Sequence, residues 1–439
     1  MDESCQPSAR RGVPRFSLTP VRNLGRARPG LPASLLAGLL LAPCWTLAQA
    51  QSLAEVVREA LAQYPAVAAA RAGAAGSVSE VERAKASRWP TVGVGATALE
   101  QEAAPRRLVA TPQASYTVYA GGGIEAGVAR AEALRRAAEG RTASTLDEVG
   151  LQAAEAYIVW ARQLEIVQLA RENVQALQRI RDDVRRIVEA DPGRMVDLSQ
   201  AEVRVSAAAL ALEQRESDLA QAAARLSRFW PRALPGRPDG LEEEPGERPA
   251  SLGQALAFAS ERHPLLVQGL AQVEAAEAAV AVARAQTRPR VELQLSHQLN
   301  PYTLRPGLNT QLNVNMPVFN AGAGAAGVAA ADAQARAARA AAEEQGLAVR
   351  ERITAAWSEW QSAQRRESLN EGQDRAAQRV VEGYQLQFRL ARRSLLDLLN
   401  IQAEAHGYAV ASAGARAERR LARFRLAASL AELGRAYSR

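Results

Sequence analysis

The sequence predicts a mainly α protein with membrane β: a duplicated helix–hairpin–long-helix unit that forms a trimeric α-helical barrel with a shared twelve-stranded β-barrel. Three observations predict it. Residue patterns recur at a spacing of 199 to 200, strand-like alternation is confined to two short hairpins, and the helical stretches between them fall into matched lengths. The composition agrees. Alanine fills about a fifth of the 439 residues, while Phe, Trp and Tyr together make 5%, which suits long helices packed closely through small side chains. At 48% hydrophobic and 23% charged, the chain is too apolar for disorder.

Residues 1–50 read as a secretory signal peptide. Arg10, Arg11, Arg15, Arg22, Arg26 and Arg28 precede an apolar run from Leu31, which ends in the small-x-small site Ala48-Gln49-Ala50. Cleavage there removes six arginines and two acids and lowers the formal charge from +7 to +3, so no nucleic-acid partner is expected. Cys5 and Cys44 leave with the peptide, which excludes disulfides and cysteine metal sites from the mature chain.

The mature chain then reads twice. Tyr64-Pro65 pairs with His263-Pro264, Ala156-Tyr157 and Trp160 with Ala356-Trp357 and Trp360, and Val196-Asp197-Leu198 with Leu396-Asp397-Leu398. Repeat one is assigned to residues 51–230 and repeat two to 251–439, with a Pro/Gly-rich acidic linker at 231–250 that carries Glu242, Glu243 and Glu244. An Ala-rich helical stretch over 53–88 stops at Pro90. Alternation then predicts strands over about 91–102 and 109–120, and in the second copy over 290–300 and 308–319. The second copy alternates more cleanly: Val291, Leu293, Leu295 and Leu299, then Leu308, Leu312, Val314 and Met316, with Gln294, Gln311, Asn313 and Asn315 between them. Strands of about 10 residues with one apolar and one polar face suit a barrel wall, and make Leu293, Leu295, Leu312 and Val314 lipid-facing.

Each hairpin leads into a long helix. Residues 123–190 contain no proline and span about 100 Å; residues 322–391 span about 105 Å. Asp191-Pro192-Gly193 reverses the chain, and residues 195–229 return for about 52 Å; the second return is 394–436, about 64 Å. Two shorter helices laid end to end therefore match each long one. Four strands do not close a barrel and open edges are not tolerated in lipid, so other protomers must complete the wall. A closed ring of three gives twelve strands and a homotrimer.

These features resemble the TolC family of outer-membrane efflux proteins, over residues 52 to 436. Besides the duplicated order, the resemblance rests on Pro-Val-Phe-Asn-Ala-Gly at 317–322 and on Tyr384, Phe388 and the run Arg393-Ser394-Leu395-Leu396-Asp397-Leu398-Leu399-Asn400 followed by Gln402. It implies a channel-tunnel in the outer membrane, extending into the periplasm of a Gram-negative cell, with a periplasmic adaptor (membrane fusion protein) and an inner-membrane ABC exporter or antiporter as partners. By position it implies that Asp197 and Asp397 ring the periplasmic entrance, with Arg393 and Phe388 helping to hold it closed. A further family aspartate falls at Asn400, and Ala391 stands where the family often has glycine. Gly193, Arg194, Ala391 and Arg392 fall at the adaptor-docking tips. The Leu395–Asn400 stretch and the tail over 423–433 are more similar to members serving type I protein secretion than to multidrug-efflux members.

Other motifs point to less. Residues 322–327 spell GxGxxG after a strand, but no parallel βαβ unit follows, so the glycines are assigned to the strand-to-helix bend and no cofactor is expected. His263, His297 and His406 lack metal-ligand spacing, so surface or packing roles are expected and no metal site; Arg365-Arg366 and Arg392-Arg393 read as solvated helix or turn residues. Nothing in the sequence assembles a catalytic constellation, and no enzyme activity is expected. The rival from a different class is a periplasmic coiled-coil structural or adaptor protein with a soluble β-domain.

Overall fold

The computed structural model describes residues 52–101, 104–234, 236–246, 248–297 and 307–438. The signal peptide, both cysteines, strand end 102 and strand end 298–300 with Leu299 lie outside the described residues. Two runs of one element order build the chain. The first is α1 (Leu53–Gln63), α2 (Pro65–Ala86), β1 (Thr91–Gln101), β2 (Ala104–Tyr119), α3 (Gly123–Ala190) and α4 (Met195–Leu226). The second is α5 (Leu252–Arg262), α6 (Pro264–Ala285), β3 (Arg290–His297), β4 (Leu308–Asn315), α7 (Ala323–Arg389) and α8 (Leu395–Ser429), with a short α9 (Leu433–Tyr437) at the end.

The structure corrects several expected boundaries. The stretch 53–88 is two helices, and so is 251–288, because Pro65 and Pro264 push the preceding residue out of the helical region: Tyr64 has ψ 133° and His263 ψ 125°. Each proline then serves as the first residue of the next helix, where its missing N–H costs nothing. β2 begins at Ala104, earlier than expected, and β4 ends at Asn315 instead of 319, just ahead of Met316-Pro317, where proline offers no ladder donor. The last helix breaks after Ser429, where Ala431 takes φ 57° and α9 restarts.

Strand order in the sheet is β1-β2-β3-β4, antiparallel throughout. Above the chain's midpoint the helices lie in the row α2-α3-α6-α7, and below it in the row α4-α3-α8-α7. The largest apolar core gathers at the midpoint, where Leu53, Val57 and Leu61 of α1 meet Tyr157 and Trp160 of α3, Leu226 of α4 and Phe424 of α8. A second core repeats this chemistry around Ile353, Trp357 and Trp360 of α7. The aromatic pairs at the 200-residue spacing hold similar geometry: Tyr157–Trp160 centroids are 5.4 Å apart and Trp357–Trp360 centroids 5.2 Å.

The acidic linker is fastened to this belt. The Tyr157 hydroxyl donates to the Asp239 carbonyl (3.0 Å) and accepts the Asp239 N–H (2.9 Å), while Glu242 pairs with Arg419 at 3.0 Å and with Arg420. Those two arginines hold the Glu242 carboxyl below the usual carboxylate range.

Candidate functional site

The regions that sequence reasoning singled out lie at opposite ends of the helices. At the far end from the sheet, the first tip turns through Pro192–Arg194, with the Asp191 carboxylate accepting the Gly193 N–H at 3.2 Å. Arg194 then reaches forward one turn and donates to Asp197 at 2.8 Å. Met195 and Val196 are exposed beside this pair.

The second tip is built differently. α7 ends in a Schellman motif: the Ala391 N–H donates to the Phe388 carbonyl and the Arg392 N–H to the Gln387 carbonyl, both at 2.9 Å. The motif needs a left-handed residue, and Ala391 supplies it at φ 55°. Ser394 caps α8 by accepting the Asp397 N–H at 3.1 Å. Arg393 is not a freely solvated side chain, as the sequence suggested. Its guanidinium lies 4.2 Å from the Tyr384 ring centroid and donates to Gln387 at 3.2 Å, with Asp397 at 3.9 Å. Tyr384 and Gln387 position this arginine while its side chain stays 36% exposed. Arg392 and Asn400 are exposed.

Phe388 faces inward and is only 5% exposed. It packs with Leu395, Leu398 and Leu399 against Leu177, Ile180, Val184 and Val188 of α3. Across the same junction Arg389 approaches Asp183 at 3.7 Å, and Gln402 donates to Asn173 at 3.2 Å. The second tip is thereby joined to the end of the first repeat's long helix. Both aspartates stand in the first turn of a helix, where the helix dipole favours their charge.

At the other end, the register sorts the sheet into two faces. Tyr116 sits opposite Leu293, which sits opposite Leu312; Val92 opposes Ala114, which opposes Leu295; Val291 opposes Val314. The reverse face carries Ser115, Gln294 and Gln311 in one row and Thr117, Glu292 and Asn313 in the next. Leu312 is 61% and Val314 62% exposed, while Leu293 and Leu295 are half-buried. The bends from strand to helix use left-handed backbone in both repeats: Gly121 and Gly122 have φ 61° and 85°, Ala321 and Gly322 have φ 52° and 86°. The GxGxxG stretch therefore opens on the bend residue between strand and helix.

Of the three histidines, His263 is buried and caps α6 by accepting the Leu265 N–H at 3.2 Å. Burial pushes its pKa below the usual histidine value. Among the described residues no group of three His, Cys, Asp or Glu side chains is placed to hold a metal.

Sequence reasoning missed two features. Arg416, Arg419, Arg420 and Arg423 step by 3, 1 and 3 along α8, a spacing that puts them on one helix face, and Arg416 pairs with Glu165 of α3. Asp147 of α3 is 6% exposed and accepts the Gly434 N–H at 2.9 Å, which ties α9 to the first repeat. The α8 spacing was visible in the sequence, whereas nothing local to Asp147 announces its distant partner.

Comparisons with known proteins agree with this architecture. Over 259 residues, 57% of this chain, the sequence is 26% identical to outer membrane efflux protein BepC of Brucella suis biovar 1 (strain 1330); the match spans 56% of that relative's length. The fold is similar to that of CusC, with a TM-score of 0.77 at 17% identity over 87% of this chain and 92% of that one. It is also similar to VceC of Vibrio cholerae, with a TM-score of 0.73 at 17% identity over 87% and 96%, and to the open-state MtrE channel of Neisseria gonorrhoeae, with a TM-score of 0.75 at 15% identity over 88% and 90%. The family model for outer membrane efflux protein matches residues 56–230 and 256–432, the bulk of both repeats, and the chain belongs to that family of the outer membrane.

Proposed function

We propose that this protein is the outer-membrane duct of a tripartite export system, a homotrimer that passes substrate driven by an inner-membrane transporter through a periplasmic adaptor. The observation that carries the reading is the two-faced sheet with two unlike edges. Among the described residues β1 and β4 each pair on one side only, and the lateral helices carry exposed apolar seams: Val196, Val203 and Leu210 of α4 step by seven, and Leu369 and Leu386 of α7 fall at a and d positions of one heptad register, with Leu390 at the helix C-cap. Two unlike faces that must meet make a heterologous contact, which forms a ring when the rotation between protomers closes, as a membrane wall without open edges requires. Closure puts the apolar face against lipid and the carboxamide face around the lumen. Fractionation tests this reading: it expects outer-membrane recovery as heat-modifiable trimers. A detergent-free periplasmic protein would instead support the soluble coiled-coil adaptor.

The entrance is formed by the two tips, and Asp197 and Asp397 control it. The Asp197→Ala, Asp397→Ala double variant is expected to weaken cation block and raise conductance in planar bilayers. Unchanged conductance and block would sink the gating role. The tips carrying Gly193, Arg194, Ala391 and Arg392 receive the adaptor.

The finer reading is type I protein secretion with an ABC exporter, supported by the Leu395–Asn400 and 423–433 stretches. Small-molecule efflux with an antiporter is the second reading, supported by the similarity to efflux protein BepC. Co-purification distinguishes them, since recovery of an antiporter without an ABC exporter reverses the order.

A further inference from the structure

Where α2 runs out into β1, the surface folds into a groove of about 790 Å³. Its wall is the apolar face of the sheet, Tyr116, Leu293 and Leu295, and its base is Lys85, Arg88 and Trp89 from the end of α2 and the turn that follows. Glu82 also lines it and pairs with Lys85 at 3.1 Å, so two cations face one carboxylate and the groove keeps a positive surplus. Lys85 is the one lysine in the 439-residue sequence, against 53 arginines.

Height within the membrane follows from the fold. The helices end at the periplasmic rim, so the basic base of the groove lies at headgroup level. Leu293 and Leu295 stand three and five residues up β3 from Arg290, about 10 and 17 Å along the strand. Trp89 is 73% exposed at the boundary, the position in which an amphipathic ring sits among headgroups. Cations at a helix C-terminus are favoured by the helix dipole whatever else is near, and that accounts for Arg284, the repeat equivalent of Lys85. It does not account for the groove. In the second repeat the position equivalent to Trp89 is Arg288, whose guanidinium donates to the Gly121 carbonyl at 2.9 Å and so is occupied within the chain. The two rims therefore differ: at one the equivalent side chain is held by an internal hydrogen bond, while the other is basic at its base and apolar on its wall.

We infer that this groove holds an anionic glycerophospholipid of the periplasmic leaflet, one per chain, with its phosphate on Lys85 and Arg88 and an acyl chain along Tyr116, Leu293 and Leu295. Charge complementarity at the base and the lipid-facing wall select this occupant. A zwitterionic lipid offers the same chains without the net charge. The inference rests on the barrel reading above.

The test uses the full detergent-solubilised protein, stripped of lipid and examined by native mass spectrometry after addition of dioleoylphosphatidylglycerol or dioleoylphosphatidylcholine. The expected result is retention of up to three phosphatidylglycerols per trimer and weak retention of phosphatidylcholine. The Lys85→Gln, Arg88→Gln double variant should lower phosphatidylglycerol retention by about thirtyfold, the scale expected for two surface cations. Arg284→Gln, which removes a charge at the equivalent rim without touching the groove, should leave it unchanged. Equal retention of both lipids, or equal loss in Arg284→Gln and the double variant, overturns the site while leaving the trimer intact. Absence of any trimer overturns the barrel reading and the site together.

Discussion

At residues 191–197 the first repeat turns on a proline, a glycine and an Arg194–Asp197 ion pair of 2.8 Å; at 388–397 the second turns on a left-handed alanine, a serine cap and a buried phenylalanine. The first tip leaves Met195 and Val196 bare, while the second sends Phe388, Leu395, Leu398 and Leu399 into an apolar cluster with α3. The turn of the first tip is fastened by polar contacts of its own, whereas the side chains of the second are buried against α3, the first hairpin's own arm. Burial of several large side chains outweighs an exposed ion pair, which contributes about 0–1 kcal/mol. The difference teaches how the two turns are tied together: Phe388 and its leucines pack on Val184 and Val188 at the end of the first hairpin, so one apolar cluster holds both ends while the Pro192–Arg194 turn itself stays solvent-facing.

The largest test of that contrast is Phe388→Ala. Removing a buried phenylalanine costs about 3–5 kcal/mol, and here the loss falls on the junction between α3, α7 and α8. Met195→Ala at the first tip should change stability by no more than about 0.5 kcal/mol, because its side chain is exposed. Hydrogen exchange over residues 395–400 and 195–200 reads both. Protection of 395–400 that survives Phe388→Ala would show that the second tip is not anchored by its apolar cluster.

The repeats also diverge at the midpoint. Asp147 is 6% exposed, whereas Leu347, its equivalent 200 residues on, is 61% exposed. Burial raises the Asp147 pKa from 3.8 to about 6, against the lowering effect of the backbone N–H groups of Gly434 and Leu433. The folded protein therefore holds this proton more tightly than the unfolded chain does. The group's contribution to stability is complete below about pH 4, falls as pH rises toward 6, and stays at its lower level above that. At about 1.4 kcal/mol per pH unit the swing is on the order of 3 kcal/mol. Asp147→Asn keeps an acceptor for Gly434 without the charge, so it should melt above wild type at pH 7.5 and with it at pH 4. Parallel melting curves across that range would mean that Asp147 does not titrate there.

How much of this was legible follows from where each signal resides. The long helices and hairpin faces were readable because burial imprints a local period, and α3 was bounded correctly by the glycines before it and Pro192 after it. Tyr64-Pro65 and His263-Pro264 were visible as a repeat but were read through as helix, although the rule that a residue before proline leaves the helical region was sufficient to split them. Phe388 came from a motif, and the leucines of the sheet's apolar face from alternation. The Asp147–Gly434 tie joins residues 287 apart, and the Glu242 contacts cross from linker to helix. Such pairs leave no period in the sequence, so only the packed structure brings them together.

The smallest effect sharpens the tips themselves. Ala391 has φ 55°, and left-handed backbone costs an L-residue with a Cβ about 1–2 kcal/mol. Glycine removes that strain but adds about 0.5–1 kcal/mol of chain entropy to be lost on folding, so Ala391→Gly should stabilise by about 0.5–1 kcal/mol. It would also restore the residue that the family resemblance implies at this position. Gly193, at the corresponding turn, has no positive φ, and a Cβ there would stand 3.2 Å from the Asp191 carboxylate. Its substitution by alanine trades an entropy gain against a small displacement of that carboxylate, and no stabilisation comparable to Ala391→Gly should appear. Denaturant midpoints of the two variants measure the contrast directly. If Ala391→Gly unfolds no later than wild type, the Schellman turn is not strained, and the second tip's hold comes wholly from Phe388 and its neighbours.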